Sequence, residues 1–310
     1  MSEDKSSEKL NIIALTDFSA YGDAAVRYGG VLAGIFKASL TVISNFSFQP
    51  QNLKEWKADG QLVAGNDIWK DEIGHIQSVA LDKGAPRMSN HFHRTMDNLS
   101  EQDIETFMPP QHFTVRGIYQ YAEQTHTIMF VIGVSKDKHC TFFNRKRALR
   151  FIRPSRLPVM VVGNRSPEKN VFRHVLLPID MDRQAKEKML WAGYFSRFYQ
   201  STVHILYPNY KDEFLRQKIT DNIAFAKKLY QNLSIDYQLQ GITPPPDNID
   251  KYSLSHAAES DASLTVVMMT RYYSLFDFLL GPKEYRLIGN DEGFPVLCIN
   301  ERDDLYVLCT

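Results

Sequence analysis

Four short apolar runs in the first half of this 310-residue chain return in the second half in the same order. Each run is rich in branched aliphatic residues and does not alternate with polar ones. Because four matches in one order are difficult to produce by chance, they predict that one structural unit was duplicated. The matched pairs are 12–17 with 175–180, 41–43 with 202–204, 128–133 with 264–269, and 157–162 with 294–299.

The spacing of the matched runs along the chain locates an insertion. Asp17 matches Asp180, whereas Gly133 matches Met269. The separation along the chain between matched residues is therefore larger in the first two pairs than in the last two. The first copy is therefore about 26 residues longer, and we place the insertion between about 47 and 110. We predict two domains, 1–166 and 167–310, which meet in a short polar stretch that contains proline and glycine.

The matched runs have the pattern of strands that are buried on both faces, as in a parallel sheet covered by helices. Helical periodicity follows the first strand of each copy, and Ser19 is the predicted N-cap of the first helix. The sequence therefore predicts an α/β fold of two tandem doubly wound domains with parallel sheets. The residues that carry the helical pattern are Tyr28, Val31, Leu32 and Ile35, and Ala185, Met189, Ala192 and Phe195.

The insertion is the least regular part of the sequence. Its apolar spacing predicts a helix over 67–81, with loops on both sides. An insertion of this length either forms a lid over a site or adds packing between domains, and we favour the packing role.

The composition excludes several classes of protein. Lysine and arginine number 36, and aspartate and glutamate also number 36, so no net field would hold the chain on nucleic acid or on an anionic membrane. No apolar run reaches the ~20 residues of a membrane span, and the first residues have no signal-peptide core. The three cysteines are too few for a disulfide framework. We therefore expect a cytoplasmic protein without a membrane partner.

Three features together carry a family resemblance. A buried strand ends in Asp-Phe-Ser at 17–19 and leads into an alanine-rich helix, a helix over 119–123 precedes a strand that ends at Gly133, and a last strand opens at Leu157. The second copy repeats these features at Asp180, 256–259 and 294–297. In this order they resemble the universal stress protein family in its tandem two-domain form.

The resemblance implies the adenine nucleotide alpha hydrolase-like fold and a role in stress response. It also implies that the two domains pair with each other across their final strands, as an internal pseudo-dimer. A further partner, either a protein or a small molecule, is expected, and the sequence leaves its identity open.

Family members that bind ATP carry an aspartate after the first strand and a loop with the pattern Gly-x-x-Gly, nine residues, Gly-Ser/Thr. Glycines let backbone N–H groups approach the phosphates closely. Carried over by position, the first copy has Asp17 and Gly133, but Lys136 stands at the second glycine. Lys146 and Arg147 stand at the final pair, so the resemblance implies a degenerate first loop.

The second copy departs further from the ATP-binding pattern. It retains Asp180, but Met269 and Tyr272 replace the first two glycines, and Gly281 near the last position is followed by Pro282. Proline has no N–H to donate to a phosphate. We therefore predict no cofactor, with ATP and magnesium in the first domain alone as the alternative. No catalytic group is identified, and whether the chain is an enzyme stays open.

The densest charged segment is 145–156, which stands where family members hold phosphate. We favour a solvated helix face, or a surface paired with acids of the other domain. Capture of an anion by side chains, and contact with nucleic acid or an acidic protein, stay as alternatives. The basic residues are Arg145, Lys146, Arg147, Arg150, Arg153 and Arg156.

The remaining candidates have weaker patterns. The aromatic segment 272–280 either is buried, which we favour, or lines a pocket for an apolar molecule or lipid. No metal site is predicted from His91, His93 and the pair 139–140, because their spacing completes no ligand set. His204 and Cys298 lie within predicted strands and are interpreted as core residues.

The resemblance and the degenerate loops together predict a stress-response protein that acts by binding or interaction, without catalysis. A nucleotide-binding protein that uses the first domain, with or without slow ATP hydrolysis, is the first alternative. A binder of an apolar small molecule or lipid is the second.

Overall fold

The computed structural model divides the chain into two compact units, Met1–Gly133 and Val134–Thr310. The domain boundary predicted at residue 166 separates the two copies of the sequence repeat, whereas these units are defined by compactness. The predicted boundary therefore stays a prediction. The structure describes residues 10–17, 19–43, 46–47, 56–58, 61–63, 104–107, 113–136, 141–168, 171–181, 186–259, 263–269, 283–289 and 293–300.

The first unit contains a parallel sheet in the order β6-β2-β1-β8. Its short strands β3 and β7 pair with each other, as do β4 and β5. The strands are β1 (Asn11–Leu15), β2 (Ser39–Ile43), β3 (Phe46–Ser47), β4 (Trp56–Ala58), β5 (Gln61–Val63), β6 (Ile104–Phe107), β7 (Phe113–Thr114) and β8 (Thr127–Gly133).

Two helices are described in the first unit, α1 (Ala20–Phe36) and α2 (Val115–Gln124). The predicted cap of α1 is confirmed, since the Ser19 hydroxyl accepts a hydrogen bond from the Gly22 N–H. The predicted buried face is partly wrong, because Val31 and Ile35 are only half-buried. Tyr28 and Leu32 of the predicted face are buried, together with the small residues Ala24, Ala25 and Ala33. These alanines let α1 lie close to the sheet.

The second unit contains a sheet in the order β12-β11-β10-β13-β14-β9. All its pairs are parallel except β14 with β9, which is antiparallel. Its elements are α3 (Arg145–Ile152), β9 (Val159–Val162), β10 (His174–Pro178), α4 (Lys186–Tyr199), β11 (Thr202–Pro208), α5 (Glu213–Asn232), β12 (Tyr237–Ile242), α6 (Ile249–Glu259), β13 (Leu264–Met269), a 3-10 helix (Lys283–Arg286) and β14 (Val296–Asn300).

Each of the eight apolar runs contains a strand, and β1, β9 and β14 are buried along their whole length. Burial on both faces follows from the helices that cover parallel strands, and it explains the lack of alternation in the sequence. The predicted α/β class with parallel sheets is confirmed. The helix predicted over 67–81 lies outside the described residues.

The antiparallel pair joins two strands that the repeat aligns with each other, β9 and β14. Val161 lies opposite Val296, and Val159 lies opposite Cys298. This pairing is consistent with the expected association of the domains across their final strands. The internal pseudo-dimer itself stays a prediction.

Candidate functional site

In the first unit, Asp17 and Gly133 lie at the place where the strand order of the sheet reverses. β1 stands between β2, which follows it in the chain, and β8, which returns on its other side. Asp17 follows the carboxyl end of β1, and Gly133 ends β8. Open α/β sheets bind ligands in the crevice at such a reversal, so the topology brings these two predicted residues to one edge.

The half-buried Asp17 carboxylate takes part in the cap of α1. Its Oδ1 accepts hydrogen bonds from the Ser19 N–H at 3.1 Å and from the Ser19 hydroxyl at 2.5 Å. The same hydroxyl accepts a hydrogen bond from Gly22 at 3.2 Å. Asp17 therefore orients the side chain that begins the helix, and its proposed contact with a ligand stays a prediction.

Gly133 lies against the first turn of α1. A β-carbon at this position would come within 2.8 Å of Tyr21 Cβ and even nearer to the Tyr21 carbonyl group. Glycine is required here because the helix backbone itself occupies the space of a side chain. The family resemblance implies that this glycine belongs to a phosphate loop. The packing against α1 supplies a second reason why position 133 is glycine.

The helix α3 begins where the family's phosphate loop would end. Asn144 caps it, with its side-chain oxygen accepting a hydrogen bond from the Arg147 N–H at 3.1 Å. The Arg147 guanidinium lies 5.0 Å from the centre of the Phe142 ring and donates to the Phe142 carbonyl at 3.1 Å. These contacts hold Arg147 against its own loop, although Arg147 is exposed, as are Lys136 and Lys146.

Two arginines of the basic segment bind residues that come much later in the chain. Arg145 donates to the Gly289 carbonyl at 2.7 Å, and the buried Arg153 contacts both carboxylate oxygens of Glu284 at 3.3 Å. The expected pairing with an acid of the second predicted domain is therefore present for Arg153. Arg150 and Arg156 are exposed whereas Arg153 is buried, so the predicted solvated helix face does not include every basic residue of the segment.

The predicted residues of the second unit are only partly described. Asp180 is half-buried after β10, and its backbone carbonyl accepts a hydrogen bond from the Asn222 side chain at 2.9 Å. Met269 ends β13. Gly281 and the aromatic segment 272–280 lie outside the described residues, so the role proposed for them in binding an apolar molecule stays a prediction.

One buried charge, Lys188 in the first turn of α4, is not among the residues predicted from the sequence. Its ammonium lies 3.8 Å from Asp250 Oδ1 at the start of α6, and its side chain is 1 % exposed. A signal was available, because the alignment that matches Asp17 with Asp180 also places Lys188 at the position of the buried Ala25.

Two histidines form a hydrogen-bonded pair at the amino ends of β10 and β11. His174 Nδ1 lies 3.0 Å from His204 Nε2, and one of the two nitrogens donates to the other. Both rings are half-buried, so the interpretation of His204 as a core residue is wrong. Burial lowers the pKa of His204, and the nearby His174 and His256 lower it further.

We expect the chain to lose stability on acidification because of His204. Its pKa is lower in the folded protein than the ordinary value of 6.5, so the unfolded chain takes up this proton first. The stabilisation is present above about pH 6.5 and is lost as the pH falls through the folded pKa. Urea denaturation at pH 7.5 and 5.5 should show a smaller loss for His204→Gln than for the wild type.

The exposed His126 provides the control for this experiment. His126→Gln should lose as much stability as the wild type between the two pH values. An equal loss in all three proteins would contradict the assignment to His204.

The last predictions from the sequence concern the core residue Cys298, metal sites and membrane spans. Cys298 is buried in β14, as predicted, and burial together with the charge of Glu284 raises the pKa of its thiol far above the ordinary range. Within the described ranges, histidine, cysteine and carboxylate side chains form no group of three or more that could hold a metal. Across the same part of the chain, no helix combines the length and apolarity of a membrane span.

Comparisons with solved structures identify the fold. No family model matches the sequence, and no curated protein matches it significantly. A universal stress protein from Archaeoglobus fulgidus DSM 4304 matches with a TM-score of 0.62 and 14 % identity, over 95 % of this chain and 97 % of that one. A putative universal stress protein from Pseudomonas aeruginosa UCBPP-PA14 matches with a TM-score of 0.53 and 12 % identity, over 96 % and 95 %. At these identities the likeness establishes the fold alone.

Proposed function

We propose that this chain, which has the fold of universal stress proteins, is a cytoplasmic stress-response protein that acts by binding a partner and not by catalysis. The observation that carries the proposal is that the polar groups at both sheet reversals contact other groups of the protein. A site built for a triphosphate needs backbone N–H groups and cations that face an open crevice.

In the first unit, the groups nearest to the reversal maintain the structure of α1. Asp17 Oδ1 accepts two hydrogen bonds from Ser19, and Gly133 lies against the backbone of Tyr21. Both residues therefore already contact the first turn of the helix. This geometry supports a protein that does not bind ATP in the usual manner.

In the second unit, α3 and the reversal contain similar arrangements. The side chain of Asn144 caps α3. The family resemblance implies that phosphates would bind at this same position. At the reversal between β10 and β13, the ammonium of the buried Lys188 lies 3.8 Å from the half-buried Asp250 carboxylate. These contacts support a role in interaction, with the partner recognised elsewhere on the surface.

We expect isothermal titration calorimetry with ATP and magnesium to detect no binding, which corresponds to a Kd above about 1 mM, or less than ~4 kcal/mol of binding free energy. The physical reason is that ligand contacts would have to replace hydrogen bonds that the folded protein already makes. A titration with ADP and AMP tests whether a shorter phosphate chain is accepted. Micromolar binding of any of these nucleotides would overturn the proposal.

One observation favours the nucleotide-binding alternative. Asp17 is half-buried, not fully buried, and it lies with Gly133 at the edge where ligands bind in this class of sheet. If the wild type binds ATP, the variant Asp17→Asn identifies the site, since it keeps the shape of the side chain and removes its charge. Loss of binding in that variant would support the first unit as the nucleotide site.

A further inference from the structure

The sheet of the second unit reverses its strand order at β10. The chain proceeds from β10 to β11 and β12 on one side, and it returns to β13 on the other. β10 pairs with β11 at five positions from His174 to Pro178, but it pairs with β13 only at Val175 and Leu176. The pairing between these two strands therefore ends before their carboxyl ends, at the edge where such sheets have the crevice that binds ligands.

The helices α4 and α6 pack on opposite faces of this sheet. α4 leads from β10 to β11, whereas α6 leads from β12 back to β13, in the opposite direction along the sheet. Because such crossovers are right-handed, the two helices cover opposite faces. Ile249 and Ala257 of α6 pack with Leu176 and Leu206 on one face.

Lys188 connects these two helical layers. It is the third residue of α4, and its ammonium lies 3.8 Å from Asp250, the second residue of α6. Both helices begin at the carboxyl edge of the sheet, since each follows the end of a parallel strand. A side chain that joins them must cross that edge, where the pairing of β10 with β13 has ended.

Filling this space with a buried ammonium group is energetically unfavourable. Removing the charge from water is strongly unfavourable unless partners compensate. The distance of 3.8 Å between the ammonium and the carboxylate is longer than a hydrogen bond. At the aligned position of the first copy, Ala25 is also buried and contributes only a methyl group. The charge at 188 is therefore not needed for packing of this helix on its sheet.

We propose that Lys188 is a built-in occupant of the crevice in the second unit, and that residue 188 decides whether this unit can hold a small molecule. The inference goes beyond the proposed function, because it assigns the closure of one crevice to one side chain. With alanine at 188, the vacated space borders the Asp250 carboxylate. It would accept a primary alkylammonium ion, and it would disfavour polyanions such as nucleotides.

The test is chemical rescue of Lys188→Ala in the full chain. The probe is n-propylammonium chloride, which supplies the part of the lysine side chain that alanine lacks. We expect the variant to have a lower Tm than the wild type, and the probe to restore most of that loss in a saturable manner. Sodium chloride at the same ionic strength should have no such effect.

Two matched proteins control the rescue. The wild type and Lys188→Met both keep the space filled, so neither should gain stability from the probe. If the alanine variant does not fold alone, its refolding yield with and without the probe replaces the Tm. Absence of rescue, or an equal gain in the wild type, would overturn the inference.

The two proposals fail in different experiments. The rescue involves no nucleotide, so wild-type binding of ATP that depends on Asp17 would overturn the proposed function and leave the assignment of Lys188 intact. A failed rescue would overturn the assignment of Lys188 and leave the proposed function to the calorimetric titration.

Discussion

Replacing Glu284 by glutamine is expected to lower the free energy of unfolding by about 3–5 kcal/mol, the usual cost of removing one partner from a buried ion pair. Arg153 Nη2 lies 3.3 Å from both carboxylate oxygens, and the two side chains are 4 % and 9 % exposed. Glutamine keeps the shape of the side chain but leaves the guanidinium charge in the interior without this counter-charge. Urea denaturation, with comparison of midpoints and slopes, measures the loss.

The control for this variant is an exposed glutamate on a helix, Glu123 in α2. Glu123→Gln should change stability by less than about 0.5 kcal/mol. The double variant Arg153→Met with Glu284→Gln should lose less than the sum of the two single losses, because the charges depend on each other. If Glu284→Gln loses no more than Glu123→Gln, the pair does not stabilise the second unit.

Gly133→Ala should also destabilise the chain strongly, by about 1–3 kcal/mol or more, as expected for overpacking a closed interior. The new methyl group would lie 2.8 Å from Tyr21 Cβ and nearer still to the Tyr21 carbonyl. A helix backbone cannot rotate away as a side chain can, so α1 or β8 must move. Thermal and urea denaturation of the variant measure this cost.

Gly193→Ala is the matched control, since Gly193 is also buried on a helix that packs in the interior. There the nearest atom is Ile235 Cδ1 at 3.0 Å, the movable end of a side chain. Alanine also has a higher helix propensity than glycine by roughly 1 kcal/mol, which offsets part of the clash. If the two variants lose equal stability, the contact between Gly133 and α1 is not the reason that position 133 is glycine.

Much of the fold could be predicted from local pattern. The strands were recognised because burial on both faces leaves uninterrupted apolar runs. The cap at Ser19 was recognised because a hydroxyl side chain satisfies the first N–H groups of a helix. The buried stripe of α1 was partly misplaced, since small residues such as Ala25 carry little hydrophobic signal although they permit close packing.

The candidate site was less predictable because its contacts join distant parts of the chain. Arg153 and Glu284 are 131 residues apart, and nothing local to 153 distinguishes it from the exposed Arg150. The strand around His204 predicts a core residue, whereas the pairing of His204 with His174 depends on the register of two strands.

The sequence by itself determined the class of fold and the order of its strands along the chain, because these depend on residue type and on spacing between near neighbours. Only the tertiary structure decided which charges are buried and what they contact. Lys188 meets Asp250, and Gly133 meets Tyr21, because the sheet brings remote segments to one edge. Such contacts depend on burial and distance in three dimensions, which no periodicity in the chain encodes.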